Sequence, residues 1–159
     1  MILDALIALA LHAAPEPDAP TTTAAHSREW AVSRPTRGAH ARTVVRASTV
    51  PPRWRPFAAC VESRESHGNP HALNNSGAAG LFQFMPAWRA SLPYVISQRL
   101  GRFGAPPAVR KAVRTYLFRV HYIEKYPSIY QRIAFAEVLD DGLWHHWTLP
   151  GSRCEGLVP

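Results

Sequence analysis

The sequence predicts a mainly α-helical fold, α+β at most, in one domain that follows a disordered N-terminal arm. Apolar side chains recur with the helical period in residues 57–66, 109–120 and 128–142. No segment alternates cleanly enough between apolar and polar residues to predict a strand. The large apolar side chains collect after Trp54, so we expect a single core in residues 54–155, about 100 residues and a usual domain size.

Residues 15–53 are predicted to be a disordered linker, because they hold too few large apolar groups to offset the entropy of ordering. The formal charge of the chain is +7, and its cations concentrate here and at the domain start. Such an arm suits an anionic cell wall, a membrane surface or nucleic acid, or is simply solvated. No nucleic-acid-binding motif is present, so no specific nucleic-acid partner is expected. The arginines concerned are Arg28, Arg34, Arg37, Arg42, Arg46, Arg53 and Arg55.

Residues 1–14 resemble a degenerate signal segment or a mis-assigned start. An apolar run from Leu6 to Leu11 precedes Ala13 and Ala14, as in the core and end of a signal peptide. The residues before the run include Asp4 and no Lys or Arg, against the usual pattern. The run is too short to span a membrane.

Three helix ends carry recognisable signals. Pro56 has the favoured first-turn position of a helix over 57–66, and Gly68 follows at the expected stop. Ser128 and Gln131 have the spacing of a capping box at the start of the last helix.

Glu65 is the candidate acid of this chain. It follows Phe57 and Val61 at intervals of four residues, so it continues their apolar face at the C-terminal end of the helix. Desolvation and the helix dipole both oppose ionisation there, and a protonated carboxylic acid can protonate a departing glycosidic oxygen. The alternative is a surface glutamate paired with a neighbouring arginine. Glu62, three residues earlier, is a competitor for the role but is expected to be a solvated helix residue.

Two cysteines lie far apart, Cys60 in the first helix and Cys154 near the chain end. A bridge between them would close most of the domain and would indicate an oxidising compartment. Position alone leaves two unrelated buried thiols equally open.

The run E-S-H-G-N-P from Glu65, followed by S-G-A-A-G-L-F-Q-F-M-P from Ser76, resembles the signature of lytic transglycosylases in the lysozyme-like superfamily. It is similar also to the resuscitation-promoting-factor-like domains of actinobacteria and their phages. Gln131, Phe135 and His146-Trp147 before Cys154 resemble the closing segment of those domains. The resemblance covers residues 54–155. The region Leu92 to Lys125 carries no motif that we can place, and Pro93 is expected to limit any helix running through Trp88.

This resemblance implies that Glu65 is the catalytic acid acting on peptidoglycan glycan strands, in a secreted or cell-wall setting or one reached by a phage enzyme. It also implies a Cys60–Cys154 disulfide. Cys60 lies five residues before the acid, whereas the resuscitation-promoting-factor type has its cysteine directly before it. The cleft tyrosine of the family cannot be assigned, and Tyr116 and Tyr122 are both candidates.

Several side chains of the motif regions are candidates for binding substrate. The asparagine and serine of the turn can bind N-acetyl groups or cap the turn, and the tryptophans can stack on sugars or fill the core. A glutamine here is expected to line the cleft, because a buried amide must satisfy several hydrogen bonds. The candidates are Asn75, Ser76, Gln83, Phe84, Trp88 and Trp147.

No second carboxylate lies in the cleft motifs, although ordinary glycosidases use two. We therefore expect the 2-acetamido group of the substrate to act as nucleophile, which gives the 1,6-anhydro product that the resemblance implies. Hydrolysis with Asp140 or Asp141 as base, and a glycan-binding domain without turnover, remain alternatives. His145 and His146 are adjacent and diverge, so neither a metal nor another cofactor is expected. We expect a monomer.

Overall fold

The computed structural model describes residues 37–148 and 151–159, and this part of the chain is mainly helical. No strand forms within it, but two isolated antiparallel bridges pair Leu73 with Ala79 and Ala79 with Phe84. The predicted mainly α fold is therefore confirmed. Five α-helices lie in the described part: α1 (Arg37–Ser48), α2 (Arg55–Ser66), α3 (Leu92–Arg102), α4 (Pro107–Val120) and α5 (Ser128–Asp140). Short 3₁₀ turns cover Pro52–Trp54, Pro86–Trp88, Ile123–Lys125, Leu143–Trp147 and Glu155–Leu157.

Helix α5 forms the centre of the core. Every residue from Ile133 to Leu139 is buried, so all faces of the helix are covered along this stretch, whereas a surface helix buries only one face. Helix α3 packs against both α4 and α5, and α1 packs against α5 and α3. The apolar faces of these helices therefore meet around α5.

The helices predicted over 57–66, 109–120 and 128–142 are present as α2, α4 and α5. Pro56 lies in the first turn of α2, and the chain leaves that helix at His67 in the left-handed conformation, one residue before Gly68. The predicted capping box is wrong, because α5 has no side-chain cap and the side chain of Gln131 bonds elsewhere.

Helix α3 was not foreseen. Pro93 was expected only to limit a helix, yet it lies in the first turn of α3. Proline is well suited to that position, since the first amides of a helix have no partner within the helix. The chain from Met85 to Ser91 runs instead through the 3₁₀ turn Pro86–Trp88.

The predicted disorder of residues 15–53 is wrong for residues 37–53. Residues 37–48 form α1, and Ala47 is fully buried in the core. Arg99 of α3 donates from Nε to the carbonyl of Ala47 and from Nη2 to that of Thr49 at 3.2 Å. Because these acceptors hold a buried guanidinium, the segment just before Trp54 is part of the folded unit. Residues 1–36, with the candidate signal segment, lie outside the described residues.

Candidate active site

Glu65 lies at the C-terminal end of α2, where the helix passes from core to surface. Val61 and Phe57 are fully buried, one and two turns earlier on the same face, and the Glu65 side chain is 25% exposed. The predicted stacking on one face agrees with this order. The carboxylate itself is only partly desolvated.

One oxygen of the Glu65 carboxylate is held by a neighbouring arginine, the pairing considered as the alternative to a catalytic role. Nε of Arg64 donates to Oε1 at 2.9 Å, and Nη2 donates to the same atom. Nη2 also donates to the carbonyl oxygen of Trp147 at 2.8 Å. Among the described residues none donates to Oε2 of Glu65, which is not buried. The acid therefore presents one oxygen that an arginine holds and one oxygen to which no described residue donates.

The turn after α2 is organised by Asn74, a residue that the sequence analysis did not select. Its Oδ1 accepts from the backbone N–H of Ser76 at 3.0 Å, from the Ser76 hydroxyl at 2.7 Å and from the N–H of Ala78 at 3.0 Å. Asn75 and Ser76 are both exposed. Adjacent asparagines could not be distinguished by sequence, because either one can cap a turn.

Gln83 is buried within the second motif and holds the turn in which it lies. Its backbone has φ +49°, and its Nε2 donates to the carbonyl of Gly80 at 3.1 Å. The side chain is thus more a part of the turn than the cleft-lining group that was expected.

Gln131 joins the loops of the two motifs. Its Oε1 accepts from the N–H of Leu81 at 2.7 Å, and its Nε2 donates to the carbonyl of Pro70 at 3.0 Å and to that of Tyr126 at 2.9 Å. A buried primary amide that satisfies several backbone groups fixes the two loops relative to each other. The sequence analysis had matched Gln131 to the closing segment without this role.

Of the predicted aromatic contacts with substrate, the structure leaves only Trp88 with an accessible face. Phe84 is 1% exposed and Trp147 is 5% exposed, and their rings pack at 89° with centroids 5.6 Å apart. Nε1 of Trp147 donates to the carbonyl of Phe82 at 2.6 Å. Phe84 and Trp147 therefore lie in the core, as in the core alternative considered for Trp147, and both rings are almost fully shielded from any substrate. Trp88 is half-buried, 5.7 Å from the ring of His146.

The two tyrosine candidates lie in different surroundings. Tyr122 is half exposed, with the guanidinium of Arg89 over its ring at 5.7 Å. Tyr116 is half-buried in α4, and burial raises the pKa of its phenol. Burial also raises the pKa of Tyr130 to about 12, with Tyr116 contributing. The phenols of Tyr116 and Tyr130 are therefore uncharged at physiological pH.

Four other acids of the domain are held in ion pairs, whereas Glu124 is half-buried and its Oε2 has no hydrogen-bond partner among the described residues. Glu62 meets Arg132 through two hydrogen bonds of 2.7 Å. Asp140 accepts from Arg99 at 2.6 Å, and Asp141 accepts from Arg102 at 3.3 Å. Glu137, fully buried, pairs with the same two arginines. The two aspartates considered as alternative bases are therefore already engaged with α3.

The predicted disulfide is confirmed. Cys60 of α2 is joined to Cys154, and the two Cα atoms are 5.7 Å apart. The bridge ties the end of the chain to the helix that carries Glu65.

A cavity of about 410 Å³ lies at α3 and the start of α4, and none of the candidate site residues lines it. Its walls include Gln98, Gly101 and Arg110. Within residues 37–148 and 151–159, no group of three or more His, Cys, Asp or Glu side chains is placed to hold a metal ion. No helix of this same part is long and apolar enough to cross a membrane.

Residues 46–101 match the family described as the transglycosylase SLT domain. The match begins within α1, ends within α3, and includes Glu65 and Gln83. The chain is also 56% identical over 48 residues to "Probable transglycosylase IsaA" of Staphylococcus epidermidis. The aligned stretch is 30% of this chain and 17% of that relative, so the chain spans less than a fifth of the relative's length. No solved structure matches the chain.

In both comparisons the chain is similar to transglycosylases, whose SLT domain belongs to the lysozyme-like superfamily. These similarities carry no support for an actinobacterial or phage origin, since the relative is staphylococcal.

Proposed function

We propose that this protein cleaves the β-1,4 bond between N-acetylmuramic acid and N-acetylglucosamine in peptidoglycan, with Glu65 as acid and then base. The observation that carries the proposal is the position of Glu65. It stands at the end of α2 inside the segment similar to the transglycosylase SLT domain, and none of the described residues donates to its Oε2. A carboxyl group with one accessible oxygen can give a proton to the leaving sugar oxygen.

The proposed reaction has two steps. In the first, the 2-acetamido oxygen of muramic acid attacks its own anomeric carbon while Glu65 protonates the departing oxygen. In the second, the Glu65 carboxylate takes the proton of the muramoyl 6-hydroxyl, whose oxygen displaces the acetamide and closes a 1,6-anhydro ring. No water is consumed, and Glu65 ends protonated as it began.

Substrate assistance is supported by the state of the other carboxylates. A hydrolase of the ordinary kind needs a second acid across the bond as nucleophile or base. Glu62, Asp140 and Asp141 are each paired with an arginine, and Glu137 is fully buried. Asp140 and Asp141 are held by arginines of α3, whereas Glu65 lies at the end of α2 and no described residue donates to its Oε2. This arrangement favours the acetamide of the substrate over either aspartate as nucleophile, and so favours a transglycosylase over a muramidase.

We propose a cell-wall location outside the cytoplasm. The Cys60–Cys154 disulfide is consistent with an oxidising compartment. The basic residues before the domain would add attraction to anionic wall polymers, an attraction that salt screens. The enzyme would act as a monomer.

The test is a pair of glutamate variants in the full chain. Glu65→Gln keeps the size of the side chain but cannot transfer a proton, so release of glycan fragments from purified peptidoglycan should fall by ~10²–10⁴. Glu62→Gln is the matched control on the same helix and should keep its activity. An active Glu65→Gln together with an inactive Glu62→Gln would transfer the role to Glu62. If wild type binds peptidoglycan but releases nothing, the domain is a glycan-binding module.

A further inference from the structure

The contact between Arg64 and Glu65 is unusual for neighbours on a helix. Consecutive side chains leave a helix in directions about 100° apart and do not ordinarily face each other. Here both Nε and Nη2 of Arg64 converge on Oε1 of Glu65, where α2 is about to end. An additional hydrogen-bond partner must therefore hold the Arg64 side chain in this orientation, because the helix geometry alone would not.

That additional partner is the carbonyl oxygen of Trp147, which accepts from Nη2 of Arg64 at 2.8 Å. Trp147 is itself fixed: its ring is 5% exposed, and its Nε1 is bonded to the carbonyl of Phe82 at 2.6 Å. The guanidinium thus rests on the core at one side and on the acid at the other. Because a guanidinium is planar and rigid, fixing one edge also fixes the direction of the other.

The second glutamate of α2 does not share this arrangement. Glu62 is bound through both of its oxygens by Arg132, and the pair lies at the surface. At Glu65 both hydrogen bonds go to Oε1, and among the described residues none goes to Oε2. The two pairs therefore differ in which carboxylate oxygens accept hydrogen bonds. Both oxygens of Glu62 do so, whereas at Glu65 only Oε1 accepts from a described residue.

We propose that Arg64 is a positioning residue, which holds Oε1 of Glu65 so that Oε2 faces the glycosidic oxygen. This rests on the proposed function of Glu65. The same guanidinium lies beside the carboxylate after it has given up its proton, and so stabilises the negative charge until the 6-hydroxyl proton arrives. Trp147, assigned above to the core, would act on the reaction through its backbone carbonyl.

Steady-state kinetics of the full-length protein on soluble peptidoglycan fragments test this role. Arg64→Gln should lower kcat by roughly 10- to 100-fold, as expected when a reacting group is misplaced by about an ångström. KM should stay within about twofold, because the arginine is not proposed to bind substrate in the ground state. Arg64→Lys should recover part of kcat, since an ammonium can still donate to Oε1 but cannot bridge to Trp147 as a rigid fork.

Arg132→Gln is the matched control, because it removes the other arginine–glutamate pair of α2, and it should keep kcat. Thermal unfolding of each variant separates a loss of structure from a loss of positioning. An inactive Glu65→Gln with fully active Arg64→Gln would overturn the role of Arg64 alone, whereas an active Glu65→Gln would overturn the proposed function. If Arg132→Gln lowers kcat as much as Arg64→Gln does, the positioning role of Arg64 is also overturned, because equal losses would indicate a general destabilisation of α2.

Discussion

Arg64 donates a hydrogen bond to the carbonyl of Trp147 across 83 positions of sequence. One helical turn earlier, Cys60 of the same helix is joined to Cys154. Two independent links therefore hold the C-terminal segment against the helix that bears the candidate acid. The segment after α5 belongs to the site for this reason, although it lies beyond the portion matched to the transglycosylase SLT domain.

The junction between the two motif loops should be sensitive to a single methyl group. A Cβ on Gly80 would lie well inside van der Waals contact of Oε1 of Gln131, and Gly80 has φ +80°. Gly80→Ala should lower the free energy of unfolding by about 2–4 kcal/mol, the sum of backbone strain and a disrupted buried hydrogen bond. Chemical denaturation measures this difference.

Gly104→Ala is the control for backbone strain, because Gly104 has φ +88° but no atom within 4 Å of the added carbon. It should lower the free energy of unfolding by only about 1–2 kcal/mol. Equal losses in the two variants would mean that the contact with Gln131 contributes nothing.

The buried Glu137 should give the protein a distinctive dependence on pH. Burial raises the pKa of Glu137 above its ordinary value of 4.5, and the hydrogen bond from Arg99 lowers it by less. Between the unfolded and folded pKa values the folded state holds the extra proton, so the stability of the wild type falls as pH rises through that interval. Glu137→Gln carries no such proton.

The free energy of unfolding of Glu137→Gln, measured relative to wild type by denaturant titration, should therefore rise as pH increases from below 4.5 through the raised pKa. A difference between the two proteins that is constant over that range, or that falls with pH, would contradict the raised pKa.

Helices α2, α4 and α5 could be predicted from sequence, because their apolar residues recur with the helical period and proline or glycine marks their ends. Helix α1 could not. Among its side chains that the structure describes, Ala47 is fully buried, and the contact of α1 with Arg99 is made through the backbone carbonyl of Ala47. Any residue type presents such a carbonyl, so the composition of α1 carries no trace of the contact. Propensity and periodicity were overridden here by tertiary structure.

The position of Glu65 at the end of α2 could be predicted from the apolar spacing, and the disulfide from the resemblance of the closing segment. The catalytic role of Glu65 stays a prediction. The site could not be predicted at positions where a polar side chain can either hold the backbone of a loop or bind a ligand. Gln83 and Gln131 both hold backbone groups of the motif loops, and Phe84 fills the core. Spacing alone does not distinguish a buried amide that organises a turn from one that lines a cleft, since both need several hydrogen bonds.

The form of the released glycan ends tests the central claim most directly. Purified peptidoglycan should be digested with the full-length protein, with Glu65→Gln as control, and the muropeptides analysed by mass spectrometry. We expect 1,6-anhydromuramic ends, lighter by one water per cleavage than reducing ends, and no release by the variant. Products that all carry the added water would contradict the substrate-assisted route and would require a second carboxylate, with Asp140 and Asp141 the first to be substituted.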